Sequence, residues 1–200
     1  MRVPQQTAAR LAVGRVLARP STSLAPRVVI LGGGFAGVTT ALELAKRCAS
    51  VLPVHITLVS DKNFFLFTPM LAEAATGAVE TRHVLYPIRP LCGAWGIEFG
   101  EMWVEAVDLE RRRLTARHRR SPVRQQVHYD RLVLALGATP NVAIAPGAAE
   151  HALTFKGVGD AVVIRNRVID LFEAAALTDD PWARQRLLTF VVVGAGHAGT

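Results

Sequence analysis

Two copies of one glycine-rich pattern, each behind an apolar run, constrain this chain more than any other feature. Residues 32–37 read GGGFAG after RVVIL, and residues 194–199 read GAGHAG after LLTFVVV. The copies start 162 residues apart (194 minus 32). One G-x-G-x-x-G is weak evidence because glycine-rich turns are common, whereas two copies, each following a β-branched strand, indicate two dinucleotide sites. In such a loop Gly32 makes the tight turn, Gly34 lets the backbone approach a pyrophosphate, and Gly37 lets the next helix pack against the strand. The diphosphate then rests on the helix N-terminus, where free N–H groups and the helix dipole favour negative charge.

The local pattern around the first loop agrees. Val38, Leu42, Ala45 and Ala49 recur at helical spacing, so a helix is expected over 35–48, and HITLV at 55–59 reads as the next strand. An acidic residue is usual at the end of that strand, where it binds a ribose. Here Ser60 stands in that place and Asp61 follows one residue later. Further strands are expected at 131–135 and 188–193, a loop over 64–77 broken by Thr68-Pro69, a β-meander over 97–128, and a helix over about 159–177.

These elements give an α/β fold. Residues 27–145 are expected to form a Rossmann-like domain, a parallel sheet with helices and a β-meander layer. Residues 146–200 then supply a linker helix, the first strand and the phosphate loop of a second Rossmann-like domain, encoded only in part. Residues 1–26 form a basic leader with five arginines by residue 27 and no acid. An organelle presequence, a disordered extension and an initiation codon assigned too far upstream all fit that composition.

Composition narrows the function classes. Two cysteines, Cys48 and Cys92, lie too far apart in sequence for a redox dithiol or a zinc knuckle, and packing roles suit them. The longest uncharged stretch is interrupted by Pro140, Pro146, Gly137 and Gly147 and does not read as a membrane span. The six histidines include no H-x-x-x-H pair and the acids form no ligand cluster, so no metal site is expected. No G-x-S-x-G elbow is present for hydrolase chemistry. Part of the net charge of +7 comes from RRRLTARHRRSPVR at 111–124. No aromatic residue interleaves these cations, so a solvated hairpin is expected first, attraction to an anionic membrane surface second and a nucleic-acid surface last.

Taken in order, RVVILGGGFAGVTTALEL, ITLVSDKNFFLFTPMLAEAATG, VLYPIRPL, YDRLVLALGATPN and LLTFVVVGAGHAG resemble the type II NADH dehydrogenases, single-subunit NADH:quinone oxidoreductases. The more specific match is F-x-P-x-L-x-x-x-A-x-G, met by Phe67, Pro69, Leu71, Ala75 and Gly77, followed by Tyr86-Pro87. The resemblance implies a relay in which NADH reduces a tightly held FAD, which then passes two electrons to a membrane quinone. It assigns Gly32, Gly33, Gly34, Phe35, Ala36 and Gly37 to the FAD pyrophosphate, and Ser60 and Asp61 to the adenosine ribose. Thr68 would lie near the flavin, the Val104 backbone at the adenine, and Gly137 under the cofactor. Gly194, Gly196 and Gly199 would form the NADH pyrophosphate loop. No catalytic residue is identified, since the flavin carries the chemistry and the protein supplies orientation and electrostatics.

The implied setting is the periphery of a membrane. This is the cytoplasmic face of a bacterial inner membrane or, if the leader is a presequence, the mitochondrial inner membrane. A homodimer is compatible with the resemblance. These 200 residues are not expected to turn over NADH by themselves. Two other readings stay open: a sulfide:quinone or ferredoxin/rubredoxin reductase on the same scaffold, and a non-catalytic basic binding module.

Overall fold

The structure, a computed structural model, describes residues 25–194 and 196. They divide into two compact units, one comprising the chain to Asn63 and then Arg89–Leu136, the other Phe64–Ile88 and the chain from Gly137. This division differs from the boundary expected at 145/146 because residues 64–88 leave the first sheet and pack with later helices.

The first unit is built on a four-stranded parallel sheet in the order β5-β2-β1-β9, with β1 Arg27–Leu31, β2 His55–Ser60, β5 Glu98–Glu101 and β9 Arg131–Leu134. Val29, Ile30 and Leu31 in β1 and Leu58 and Val59 in β2 are almost fully buried, as central strands covered on both faces require. Helix α1, Phe35–Cys48, starts at Gly34, which is extended, and buries Gly37, Val38 and Ala41. Lys46 and Arg47 in its last turn suit its dipole, and the lack of an acid in its first turn leaves the positive end uncompensated. The meander expected over 97–128 loses its first strand, since β5 extends the parallel sheet beside β2 instead.

The meander proper has three antiparallel strands, β6 Trp103–Asp108, β7 Arg113–Arg117 and β8 Arg124–His128. Leu114, Ala116 and Val127 turn inward and share one core with Val29, Leu31, Val59, Met102 and Tyr129. Burying a side chain the size of Leu114 contributes about 1.5–3 kcal/mol, so this shared core is what fixes the meander on the sheet. Four arginines of the basic segment are paired. Asp108 takes Arg111 and Arg113, and Glu105 takes Arg117 and Arg124, each of the latter at 2.6 Å. Arg111 and Arg124 stay largely exposed, as a solvated hairpin requires, so the pairing adds partners without removing the segment from solvent. Helix α3, Ile88–Ala94, precedes β5.

The second unit contains the hairpin β3 Phe64–Leu66 with β4 Leu85–Pro87, and between them a 3-10 turn at Thr68–Met70 and helix α2, Leu71–Thr76. The expected loop over 64–77 is thus a strand, a turn and a helix. Pro69 starts helical structure instead of breaking it, because its fixed φ and missing N–H cost nothing in a first turn. Gly77 ends α2 in the left-handed conformation, φ 82°. Helix α4, Ala148–His151, leads to α5, Val158–Leu177, whose first turn is tied down by the Asp160 carboxylate accepting from the backbone N–H groups of Lys156 and Gly157. Arg184, in helix α6 Pro181–Leu187, donates to the carbonyls of Ala175 and Thr178 and so satisfies the end of α5.

The strand expected over 188–193 does not form a ladder. Val191, Val192 and Val193 are 82, 67 and 70% exposed, and among the described residues no neighbouring strand accepts their backbone groups. An apolar run without a pairing partner has no hydrogen bonds to fix it as a strand.

Candidate functional site

At the carboxyl end of β1 the chain turns at Gly32 with φ 116°, a conformation L side chains rarely adopt. The turn is held from both sides. The Gly32 N–H donates to the Val59 carbonyl at 2.8 Å, and the Ala135 N–H donates to the Leu31 carbonyl at 2.8 Å. A Cβ on Gly32 would run into the Ala135 carbonyl, with its carbon at 2.7 Å and the Leu136 Cα at 3.3 Å. A Cβ on Gly37 would strike the Gly32 carbonyl. These two glycines are required by the fold itself.

Gly34 is different. A Cβ there meets nothing within 4 Å, and Gly34, Phe35 and Ala36 are exposed at the start of α1. Nothing among the described residues demands a glycine at this position, yet a side chain would project into the space before the helix N-terminus. An unopposed helix dipole, a fourteen-residue helix and an open cradle that a side chain would fill together suit a diphosphate.

Ser60 ends β2 and is 6% exposed. Its Oγ accepts from the Lys62 N–H at 3.2 Å, and its carbonyl accepts from the Met102 N–H at 2.8 Å. It therefore serves the turn that follows the strand, while Asp61 is half-buried beyond it. Across the sheet, Ser60 is in register with Glu101, the last residue of β5. Glu101 lines a polar cavity of about 620 Å³ together with Asn63, His118, Arg119 and Arg120. Sequence reasoning missed Glu101, since only the strand register brings it beside Ser60.

Val104 sits in β6 opposite Ala116, just before an irregularity in the ladder at Glu105, and its side chain packs on the shared core. Its backbone is thus placed by two layers of packing. Gly137 follows β9 with φ 74° and open space at its Cβ position. Thr68 opens the 3-10 turn of the second unit and is exposed. Gly194 has φ 123°, and neither it nor Gly196 has an atom within 4 Å of a Cβ position. Gly199 and residues 1–24 of the leader lie outside the described residues.

The two cysteines do not form a redox pair. Both are free; Cys48 lies on α1 and is half-buried, and Cys92 lies in α3 at 2% exposure. Burial pushes the Cys92 thiol up to about 11, against the opposing pull of Arg89. Such a thiol stays protonated and unreactive at neutral pH.

Known proteins share this sequence and fold. Residues 26–200 match the family model described as pyridine nucleotide-disulphide oxidoreductase. The chain is 37% identical over 179 residues to the external alternative NAD(P)H-ubiquinone oxidoreductase B4, mitochondrial, of Arabidopsis thaliana, covering 86% of this chain and 30% of that protein. It is 34% identical over 176 residues to the type II NADH:quinone oxidoreductase NdhA of Mycobacterium tuberculosis, covering 86% and 36%. Among solved structures, NDH2 from Plasmodium falciparum in complex with NADH superposes with a TM-score of 0.68 at 23% identity over 80% of this chain and 32% of that one. The sulfide:quinone oxidoreductase of Aquifex aeolicus gives 0.66 at 28% identity over 74% and 33%. The chain spans about 30% of the length of the first curated relatives it matches. A family match over nearly the whole chain, together with a glycine turn of the required shape at the end of β1, shows that the chain belongs to the pyridine nucleotide-disulphide oxidoreductase family.

Proposed function

We propose that this chain carries the FAD site, and the opening of the NADH site, of a flavin-dependent NADH:quinone oxidoreductase. The observation that carries the reading is the contrast among the three motif glycines. Gly32 and Gly37 are demanded by packing, whereas Gly34 faces open space at the N-terminus of α1, where a diphosphate belongs. The names of two curated relatives support NADH as donor and a quinone as acceptor.

In this reading Gly32–Gly37 and the start of α1 bind the FAD diphosphate through backbone N–H groups. The bound flavin supplies the transfer of two electrons. The Val104 backbone meets the adenine, Thr68 and Gly137 lie along the flavin side, and Gly194, Gly196 and Gly199 begin the nicotinamide-nucleotide loop. The protein works at the periphery of a membrane in a bacterium or a mitochondrion. No helix among the described residues is long and apolar enough to cross one.

A sulfide:quinone oxidoreductase is the second reading, favoured by the solved structure of that enzyme. Among the described residues no pair of reactive thiols supports it, since Cys92 is buried with its thiol pushed up to about 11. Purification followed by visible spectroscopy tests the proposal. Flavin absorption, with FAD released on denaturation, is the expected result; a colourless protein that takes up no FAD contradicts it. Anaerobic addition of NADH or sulfide to the protein joined to its remaining domains then separates the two readings by which donor bleaches the flavin.

A further inference from the structure

We propose that Glu101 supplies the ribose-binding carboxylate that this chain lacks at the end of β2. The inference rests on the reading that the first glycine loop binds the ADP half of a dinucleotide.

A dinucleotide lying over the carboxyl ends of parallel strands presents its adenosine ribose to the end of the second strand, where a carboxylate accepts hydrogen bonds from the sugar hydroxyls. Ser60 holds that place here. Its hydroxyl is nearly inaccessible and already accepts from Lys62, so it is poorly suited to the role. The neighbouring strand carries the missing group. β5 runs parallel to β2 with Thr57 beside Glu98, Leu58 beside Phe99, Val59 beside Gly100 and Ser60 beside Glu101. Residues paired in this way put their side chains on the same face of a sheet, so Glu101 stands on the face and at the level where an acid at Ser60 would stand.

The two acids of β5 are used differently. Glu98 accepts from the Thr57 hydroxyl at 2.9 Å and is thereby committed to the sheet. The Glu101 carboxylate makes no hydrogen bond or ion pair among the described residues, whereas its backbone belongs to the ladder with β2. It borders a cavity of about 620 Å³ that is also lined by Asn63, three residues past the end of β2, and by His118, Arg119 and Arg120 between β7 and β8. That volume lies within the range of about 300–1,000 Å³ typical of small-molecule sites. Asp61, the other acid at this end of the sheet, is not among the lining residues. The Arg120 N–H donates to His118 Nδ1, leaving Nε2 as the ring's protonated nitrogen when the ring is neutral. The cavity therefore combines a carboxylate acceptor for hydroxyls with cationic and amide donors, a mixture suited to a nucleoside and not to an apolar guest.

Calorimetric titration of the flavin-free full chain with ADP, 2′-deoxy-ADP and 3′-deoxy-ADP tests the assignment without relying on turnover. A hydrogen bond from a ribose hydroxyl to a carboxylate makes the wild type prefer ADP over at least one deoxy analogue by about tenfold or more. Glu101→Gln, nearly isosteric, is expected to abolish that preference, Glu101→Asp to retain part of it, and Glu98→Gln to leave it whole. A preference that survives in Glu101→Gln, or that vanishes instead in Asp61→Asn, overturns the role of Glu101 while the dinucleotide reading stands. If Glu101→Gln does not fold, a reduced preference in folded Glu101→Asp supports the assignment, and its full retention there overturns it. If the wild type binds none of the three nucleotides and no FAD, the reading of the first loop fails and this inference falls with it.

Discussion

The Cα of Gly37 lies so close to the carbonyl oxygen of Gly32 that a methyl group on it would overlap that oxygen. The first turn of α1 is thereby pressed onto the end of β1, which brings the helix N-terminus to the carboxyl edge of the sheet. Gly37→Ala must push helix and turn apart and is expected to cost about 2–3 kcal/mol or more of stability. Gly32→Ala adds a disfavoured φ to a backbone clash and is expected to cost at least as much. Urea denaturation monitored by circular dichroism measures both; midpoints within error of wild type would show that the turn relaxes freely.

Leu114 tests the coupling between meander and sheet. It is fully buried in the core shared with Val29, Leu31 and Val59. Leu114→Ala is expected to cost about 2–5 kcal/mol. Replacing exposed Leu109 in the adjacent turn by alanine is expected to change stability by less than about 0.5 kcal/mol. Equal effects of the two substitutions would mean that the meander does not share the core.

Glu105 and Asp108 give the meander an acid sensitivity. Hydrogen bonds from Arg124 and Arg117 hold the Glu105 carboxyl below its ordinary value of 4.5, and the backbone N–H of Arg111, then its side chain, holds Asp108 below 3.8. A carboxyl whose folded pKa is depressed stabilises the fold above its unfolded pKa and loses that contribution as pH falls through the folded value. Melting temperature is therefore expected to drop as pH is lowered below about 4.5, less steeply in Glu105→Gln and less steeply in high salt, since both carboxylates remain accessible to solvent. Parallel acid limbs for wild type and Glu105→Gln would contradict the assignment.

The thiols separate by environment. Cys48 is half-buried, whereas Cys92 is buried with its thiol pushed up to about 11. Cys48 is expected to react first with a disulfide reagent at neutral pH, and Cys92 only on unfolding. Peptide mapping of the labelled protein decides, and early labelling of Cys92 would also reopen the sulfide-oxidising reading.

Much of the first unit was legible because its signals are local. RVVIL before a glycine turn, and a helical spacing of apolar residues with basic residues at its end, give β1 and α1 at their observed limits. The failures are non-local. Residues 98–101 look like one more strand of a meander, and only pairing with β2 assigns them to the parallel sheet. The run 188–193 has strand propensity but lacks a partner among the described residues. The placement of Glu101 beside Ser60, 41 positions away (101 minus 60), depends on register, which no spacing rule encodes. For the same reason the pairing of four arginines with Glu105 and Asp108 escaped a reading based on composition.

The central claim is that the first glycine loop is a diphosphate cradle, and Gly34 tests it most directly. With φ −87° and no atom within 4 Å of its Cβ position, this residue accepts a side chain without disturbing the fold. The decisive measurement is the FAD content of purified wild type and Gly34→Val, taken with their melting temperatures in the flavin-free state. The account predicts flavin in the wild type, essentially none in Gly34→Val, and closely similar flavin-free melting temperatures. A folded Gly34→Val that retains its full complement of FAD would contradict it.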